Sequence, residues 1–289
     1  MNKNRFYKRA RGIYQPAALS RKRVMLVGNG SGGSFTSTEL GRLGTSMILI
    51  DRPGERLEEH NIFRHACGYS YLGWPKTLAL AAHIRSYNPA ARITTAECDV
   101  LADAERFEDL VLAQLCDLIL DCVDDPAAKH VIGEVAFRHN IPLVGAGVFD
   151  GGVGAEVYRA LPGGACYSCI ATALNLPRQA TRKRKSINYD NPDRNEARST
   201  SALNLHIVQA GTLHAQVALN TLLGEKVIPI GMPPQVNIVT FANRVLPNVF
   251  SRPWHAEFFA VPRDSACLVC GGTEVGVEAE AQQILRNIK

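Results

Sequence analysis

The chain has 289 residues, of which 46% are hydrophobic and 20% charged, with a net charge of +5. That length allows one large domain or two small ones, and the composition excludes wholesale disorder. The core can be large without disulfide staples, and the longest apolar runs are strand-sized, so no membrane span is expected.

The first 23 residues hold eight of the 32 Lys and Arg residues and no acid. This polar, basic stretch is no signal peptide, and a cytoplasmic protein is expected. Arg23 to Gly28 is an apolar run ending in glycine and reads as a buried strand. Gly28-Asn-Gly-Ser-Gly-Gly-Ser34 follows, then a helix to Leu43. Ser46 to Asp51 reads as a second buried strand, and a helix is expected from Pro75 to Tyr87. Arg92–Glu97 alternates like a strand, Asp103–Cys116 like an amphipathic helix. Leu118–Asp121 and Pro142–Ala146 read as strands around a helix from Pro126 to His139. Continuous apolar strands alternating with helices predict an α/β protein with a doubly wound, Rossmann-like, mostly parallel sheet.

After Gly151 the rhythm changes. Strands are expected at Glu156–Tyr158 and Val236–Thr240, forming an antiparallel extension, and a long helix at His206–Leu223 is closed by Gly224. Residues 172–200 hold seven bases against three acids and read as a loop. The two basic stretches are either solvated segments or contacts for an anion such as nucleotide phosphate or an acidic partner. Neither carries interleaved aromatics or a nucleic-acid motif.

Of eight cysteines, four form two C-x-x-C pairs, Cys166/Cys169 and Cys267/Cys270. Two such knuckles complete a tetrahedral site, so structural Zn²⁺ is predicted, tying the end of the chain to its middle. Four thiolates leave no open position for catalysis. The alternative is two unrelated redox or buried pairs. Zinc thiolates beside free cysteines fit a reducing compartment.

Gly28, Gly30, Gly32 and Gly33 lie between a strand and a helix, where a backbone can approach phosphate and the helix N-terminus favours its charge. Asp51 closes the second strand, where a carboxylate can accept ribose hydroxyls. This much fits NAD as well as ATP. Asn61, Arg64 and Lys76 follow the second strand, and Asp124 follows the fourth, all on loops at the carboxyl edge. Two cations for phosphate oxygens and a carboxylate for Mg²⁺ favour phosphate chemistry over hydride transfer. Each has a plainer reading: Arg64 and Lys76 as surface charges, Asp51 and Asn61 as turn residues, Asp124 as a helix cap.

The sequence resembles the ThiF/MoeB/HesA family, relatives of ubiquitin-activating enzymes, over roughly residues 20–275. The resemblance rests on the glycine loop at Gly28–Ser34, Asp51, N-x-x-R at Asn61 and Arg64, and G-x-P-K at Gly73–Lys76. Cys122–Asp125 and the two knuckles complete it. It implies a Mg·ATP-dependent adenylyltransferase that attaches AMP to a carboxylate, typically the C-terminal glycine of a small ubiquitin-like or sulfur-carrier protein ending in Gly-Gly. It implies that Asp51 binds ribose, Asn61 positions phosphate, Arg64 and Lys76 stabilise phosphate charge, and Asp124 holds Mg²⁺. A homodimer is also implied, with Arg5 or Arg9 as the candidate reaching the neighbouring ATP. The expected organisation is a basic arm (1–22) and one adenylation domain (23–289). The latter comprises a nucleotide half (23–150) and a zinc-stapled acceptor half (151–289) with a crossover loop at 172–200.

The chain departs from the family pattern in two places. The usual D-x-D becomes Asp51-Arg-Pro-Gly-Glu55, which reads as a two-residue insertion with Glu55 in place of the second acid, and the usual R-Q becomes Arg64-His65. Residues 171–266 contain no cysteine, so a thioester step by the family's route is not expected. Cys67 reads as a structural thiol. The competing readings are adenylation of a peptide or small carboxylate, an NAD-dependent oxidoreductase, and a degenerate ATP- or partner-binding module.

Overall fold

The computed structural model describes residues 2–174, 201–246 and 250–272. The strands are β1 (Arg23–Val27), β2 (Ser46–Asp51), β3 (Ile93–Glu97), β4 (Leu118–Asp121), β5 (Leu143–Val148), β6 (Gly154–Ala160), β7 (Ile238–Ala242) and β8 (His255–Phe259). They form one eight-stranded sheet in the order β3-β2-β1-β4-β5-β6-β7-β8. The first five strands are parallel and the last three antiparallel. The predicted architecture is therefore observed, with β8 as a strand that the sequence reading missed.

The helices are α1 (Lys3–Phe6), α2 (Pro16–Leu19), α3 (Ser31–Leu43), α4 (Glu59–Ile62), α5 (Lys76–Tyr87), α6 (Ala104–Gln114), α7 (Pro126–Arg138), α8 (Tyr167–Ala173) and α9 (Asn204–Leu223). Because side chains alternate along a strand, β1 sends Val24 and Leu26 to one face and Met25 and Val27 to the other. The first pair joins Leu40 of α3, Leu80 of α5 and Val217 of α9 in one core. The second joins Phe107 of α6, Ile132 of α7 and Ile170 of α8. Both faces are covered, which is why these strands read as unbroken apolar runs.

Expected boundaries shift by a residue or two where caps intervene. Asp103 caps α6 by accepting from the N–H of Arg106 at 3.0 Å. Pro75 stands just outside α5 as its N-cap. Of the predicted loop 172–200, Thr172 and Ala173 close α8, and residues 175–200 lie outside the described residues. Buried Arg159 of β6 braces the antiparallel half, donating to Asn220 Oδ1 of α9 (2.7 Å) and to the carbonyls of Met232, Pro233 and Val236 (2.8 Å each). No described helix is long and apolar enough to cross a membrane.

Candidate active site

The strand order reverses between β1, which runs on to β2, and β4, which runs on to β5, so a crevice opens at the carboxyl ends of β1 and β4. The glycine loop fills it. Gly28 has φ +94°, and a Cβ there would lie 2.7 Å from the carbonyl oxygen of Cys122. A Cβ on Gly33 would lie 2.1 Å from the carbonyl oxygen of Gly28. These two glycines are required for packing. Gly30 and Gly32 meet nothing within 4 Å and present bare backbone to open space at the start of α3. The four predicted glycines thus divide into two that close the turn and two that leave room for a ligand.

Asp51 is fixed against this loop. Its Oδ2 accepts from the N–H of Asn29 at 2.8 Å and its Oδ1 from the N–H of Arg52 at 2.9 Å. Burial pushes its carboxyl up, while those two amides and the charge of Lys76 pull it down. Each oxygen keeps a further lone pair, so the group can hold the loop and still accept from ribose.

The residues between Asp51 and Glu55 form a tight turn. Pro53 and Gly54 (φ +78°) occupy its centre, and the N–H of Glu55 donates to the carbonyl of Arg52 at 3.3 Å. Proline followed by a positive-φ glycine suits a type II turn. The turn brings Glu55 back to the site, where its carboxylate accepts from Lys76 Nζ at 2.5 Å and from Arg52 Nη2. The backbone reinforces this: the Lys76 N–H donates to the Glu55 carbonyl (3.0 Å), and that of Leu57 to Trp74 (2.9 Å).

Asn61 and Arg64 stand on the next turn. Asn61 Oδ1 accepts from the N–H of Glu58 at 3.1 Å in a capping box for α4, the turn role weighed for it from sequence. Its amide nitrogen remains a donor. The backbone N–H of Arg64 donates to the carbonyl of Asn61 at 2.9 Å, and its side chain is half-buried.

His65 ties this turn to the glycine loop. Its Nδ1 accepts from the N–H of Cys67 at 3.0 Å, which leaves Nε2 to donate to the Asn29 carbonyl at 2.9 Å. Burial lowers its pKa to about 4 against the pull of that carbonyl, so the ring is neutral near pH 7. Beside it, the N–H of Ala66 donates to Ser34 Oγ at 3.0 Å. Cys67 is buried, and burial pushes its thiol up to about 12, which fits its structural reading.

On the other side of the crevice, Asp121 ends β4 in register with Val27 of β1. Asp124 is exposed three residues on. The cap of α7 is Asp125, whose Oδ1 accepts from the N–H of Ala127 at 2.8 Å. Beneath the loop lies a buried network that the sequence reading missed. Asp121, fully buried, accepts from Lys129 Nζ at 3.0 Å, from the Tyr158 hydroxyl, and from the N–H of Val123 at 3.1 Å. His214 of α9 closes the other wall of the loop. Its Nε2 contacts the Val144 carbonyl at 3.2 Å and its Nδ1 contacts Thr36 Oγ1 at 3.4 Å.

The four knuckle cysteines also converge. Their sulfurs lie within 4.8 Å of one another, with pairs at 3.9 Å (Cys166–Cys169), 3.6 Å (Cys166–Cys267) and 3.3 Å (Cys169–Cys270). Zinc–sulfur bonds of about 2.3 Å put tetrahedral sulfurs about 3.8 Å apart, so the donor set fits Zn²⁺. Burial raises the Cys166 thiol and lifts that of Cys169 to about 11, whereas the N–H groups of Cys270 and Val269 pull the Cys267 thiol down to about 7 against the same desolvation, so a cation would have to displace the protons of the first two.

The basic arm lies at the other end of the sheet. The Tyr7 hydroxyl accepts from Asn88 Nδ2 at 3.1 Å just beyond α5, and that of Tyr14 donates to the Leu43 carbonyl at the end of α3. Arg5 and Arg9 are therefore held away from their own chain's glycine loop.

A doubly wound sheet with its glycine turn, acid and cations at the carboxyl edge is the arrangement found in nucleotide-binding α/β proteins. The particular family is shown by sequence: the ThiF family model matches residues 8–253, and the chain belongs to that family. Among curated proteins it is 29% identical over 160 residues to "Adenylyltransferase and sulfurtransferase UBA4" of Yarrowia lipolytica, covering 55% of this chain and 39% of that protein. It is 29% identical over 179 residues to "Ubiquitin-like modifier-activating enzyme 5" of Drosophila simulans, covering 57% of this chain and 44% of that one. The chain thus spans less than half the length of these relatives. Among solved structures it resembles the microcin C7 biosynthetic enzyme MccB in complex with N-formylated MccA, at TM-score 0.71 and 18% identity. That match covers 93% of this chain and 76% of the other. Escherichia coli MccB with ATP matches at TM-score 0.67 and 18% identity, covering 93% and 75%.

Proposed function

We propose that this protein adenylates a carboxylate with Mg·ATP, and that the carboxylate is the C-terminal glycine of a small ubiquitin-like or sulfur-carrier protein. The observation that carries the reading is the convergence of Asp51, Glu55 and Lys76 beside open glycine backbone. Hydride transfer needs no such arrangement of charge. Family membership and the adenylyltransferase relatives support the same chemistry.

In this proposal the ribose hydroxyls donate to Asp51, and the backbone of Gly30 and Gly32 leaves room for the phosphates at the start of α3. Asp124 would hold Mg²⁺, which neutralises phosphate charge. Arg64 and Lys76 stabilise the charge that builds on the α-phosphate as a carboxylate oxygen attacks phosphorus and pyrophosphate leaves. Asn61 donates from its amide nitrogen. Lys76 exchanges its bond to Glu55 for a phosphate oxygen, with Glu55 as its resting partner. The carboxylate is already ionised and nucleophilic near neutrality, so orientation and electrostatics suffice without a general base. The cysteine cluster would hold Zn²⁺ as a brace with no part in the reaction. We also propose a cytoplasmic homodimer, in which Arg5 or Arg9 reaches the neighbouring site.

A second reading has its own support. The fold likeness to MccB, solved with the peptide MccA, favours a peptide carboxylate as the acceptor. ATP–pyrophosphate exchange separates the possibilities. Exchange that requires a Gly-Gly-ending protein and is lost in Lys76→Ala supports the first reading; exchange driven by a short peptide supports the second. ATP binding without exchange for any acceptor would instead indicate a binding module, and failure to bind ATP would refute the proposal.

A further inference from the structure

The opposite edge of the sheet carries a cavity that the proposed chemistry does not use. A space of about 570 Å³ opens at the amino ends of β1, β2 and β3, and Arg21, Arg23, Arg85 and Arg92 line it. They come from four places: the turn after α2, the start of β1, the last turn of α5 and the entry to β3. All four are exposed.

Their hydrogen bonds go to neutral oxygens. Arg21 Nε donates to the Ala17 carbonyl at 3.2 Å, Arg23 Nη1 to the Gln114 carbonyl at 2.5 Å, and Arg85 Nη2 to the Ile93 carbonyl at 2.8 Å. Arg92 Nε donates to Ser46 Oγ at 3.0 Å and its Nη2 to the Ser20 carbonyl. Among the described residues, none of the four forms an ion pair with a carboxylate. The neighbouring Asp117 is engaged by Lys22 Nζ and by the backbone N–H of Arg23, both at 2.9 Å.

Like charges around one space repel, and a fold that gathers them without a counter-charge creates a positive potential inside it. Each guanidinium spends only one or two of its N–H donors on the protein. Those bonds fix its plane, and the remaining donors suit phosphate oxygens. The space is a cleft open to solvent on one side, with room for a small molecule. A concave site of this kind fits a compact ligand better than nucleic acid, which is met by an extended basic strip.

We propose that this cavity is a second anion site, which takes a multiply charged phosphorylated small molecule at the edge of the sheet away from the glycine loop. The test is calorimetric titration of the full chain with inorganic tripolyphosphate. Thr94 lines the cavity and is exposed, so Thr94→Glu places a carboxylate among the arginines while leaving every arginine–carbonyl bond in place. The expected result is a saturable binding event that survives Lys76→Ala, weakens about tenfold or more in Thr94→Glu and in Arg85→Gln/Arg92→Gln, and fades with rising salt. Thr94→Glu should melt at the parent's temperature, which separates lost binding from lost fold. No saturable event in Lys76→Ala would overturn the proposal. So would an affinity that both cavity variants leave unchanged, or binding of a polyglutamate peptide in place of tripolyphosphate. Because the readout includes Lys76→Ala, failure here is distinct from failure of the adenylation reading.

Discussion

Replacing Lys129 by Met should destabilise the fold more than any change at an exposed cation. Lys129 Nζ stands 3.0 Å from Asp121, with the two side chains 14% and 0% exposed. At that distance and an effective dielectric constant near 20, the attraction is roughly 5 kcal/mol, and the desolvation of both charges offsets much of it. The net worth of the pair is therefore modest, but removing one partner is another matter. Lys129→Met strands a fully buried carboxylate with only the Tyr158 hydroxyl and the Val123 N–H, at an expected cost of about 3–5 kcal/mol. Asp121→Asn in the same chain removes the stranded charge, so the double variant should be more stable than the two single losses predict, by about 1–3 kcal/mol. Urea unfolding of the parent, both single variants and the double variant at pH 7 measures all terms of the cycle. A Lys129→Met cost below about 1 kcal/mol, or strict additivity, would show that Asp121 does not depend on Lys129 for its charge and would refute the reasoning.

Two further outcomes follow from the site geometry. Purified protein should carry about one zinc per chain, with Cys270→Ser lowering metal content and a strong chelator lowering the melting temperature, because the knuckles join segments far apart in sequence. Atomic absorption and thermal melts check this, and a chain that binds no metal yet keeps its stability would contradict it. Stability should also fall with acid. The pKa values of His65 and His214 are lowered to about 4 from 6.5 in the fold, so the unfolded chain binds more protons between those values. Their contribution is complete above pH 6.5 and is lost as pH falls through about 6.5 to 4, at roughly 1.4 kcal/mol per pKa unit. His65→Gln should flatten that decline in denaturant titrations at stepped pH, and an unchanged slope would count against a neutral buried His65.

The sheet was legible because parallel strands covered on both faces are apolar through their middles, as β1, β2 and β4 are between their polar or charged ends. β8 was not: His255-Ala-Glu-Phe-Phe259 is an edge strand with a mixed burial pattern, and it carries neither an apolar run nor clean alternation. α8 was hidden for a different reason, since it starts within the first knuckle and lasts only seven residues. The glycines, Asp51 and the knuckles announced themselves by spacing. The buried Asp121–Lys129–Tyr158 network could not, because its members come from three elements that only the folded sheet brings together. A charged residue closing an otherwise apolar strand was its one local sign.

The departure from the D-x-D pattern shows how geometry can preserve what spacing changes. Two added residues would ordinarily carry the second acid away from the first. On the reading that Pro53-Gly54 is the extra length, that pair suits a tight turn, and the turn is closed by the Glu55 N–H on the Arg52 carbonyl. The longer side chain of Glu55 then reaches Lys76. Both acids of the site sit close enough for each other's charge and that of Lys76 to act on Asp51. Lys76 thereby has an anionic partner, which in the proposed reaction a phosphate oxygen would displace.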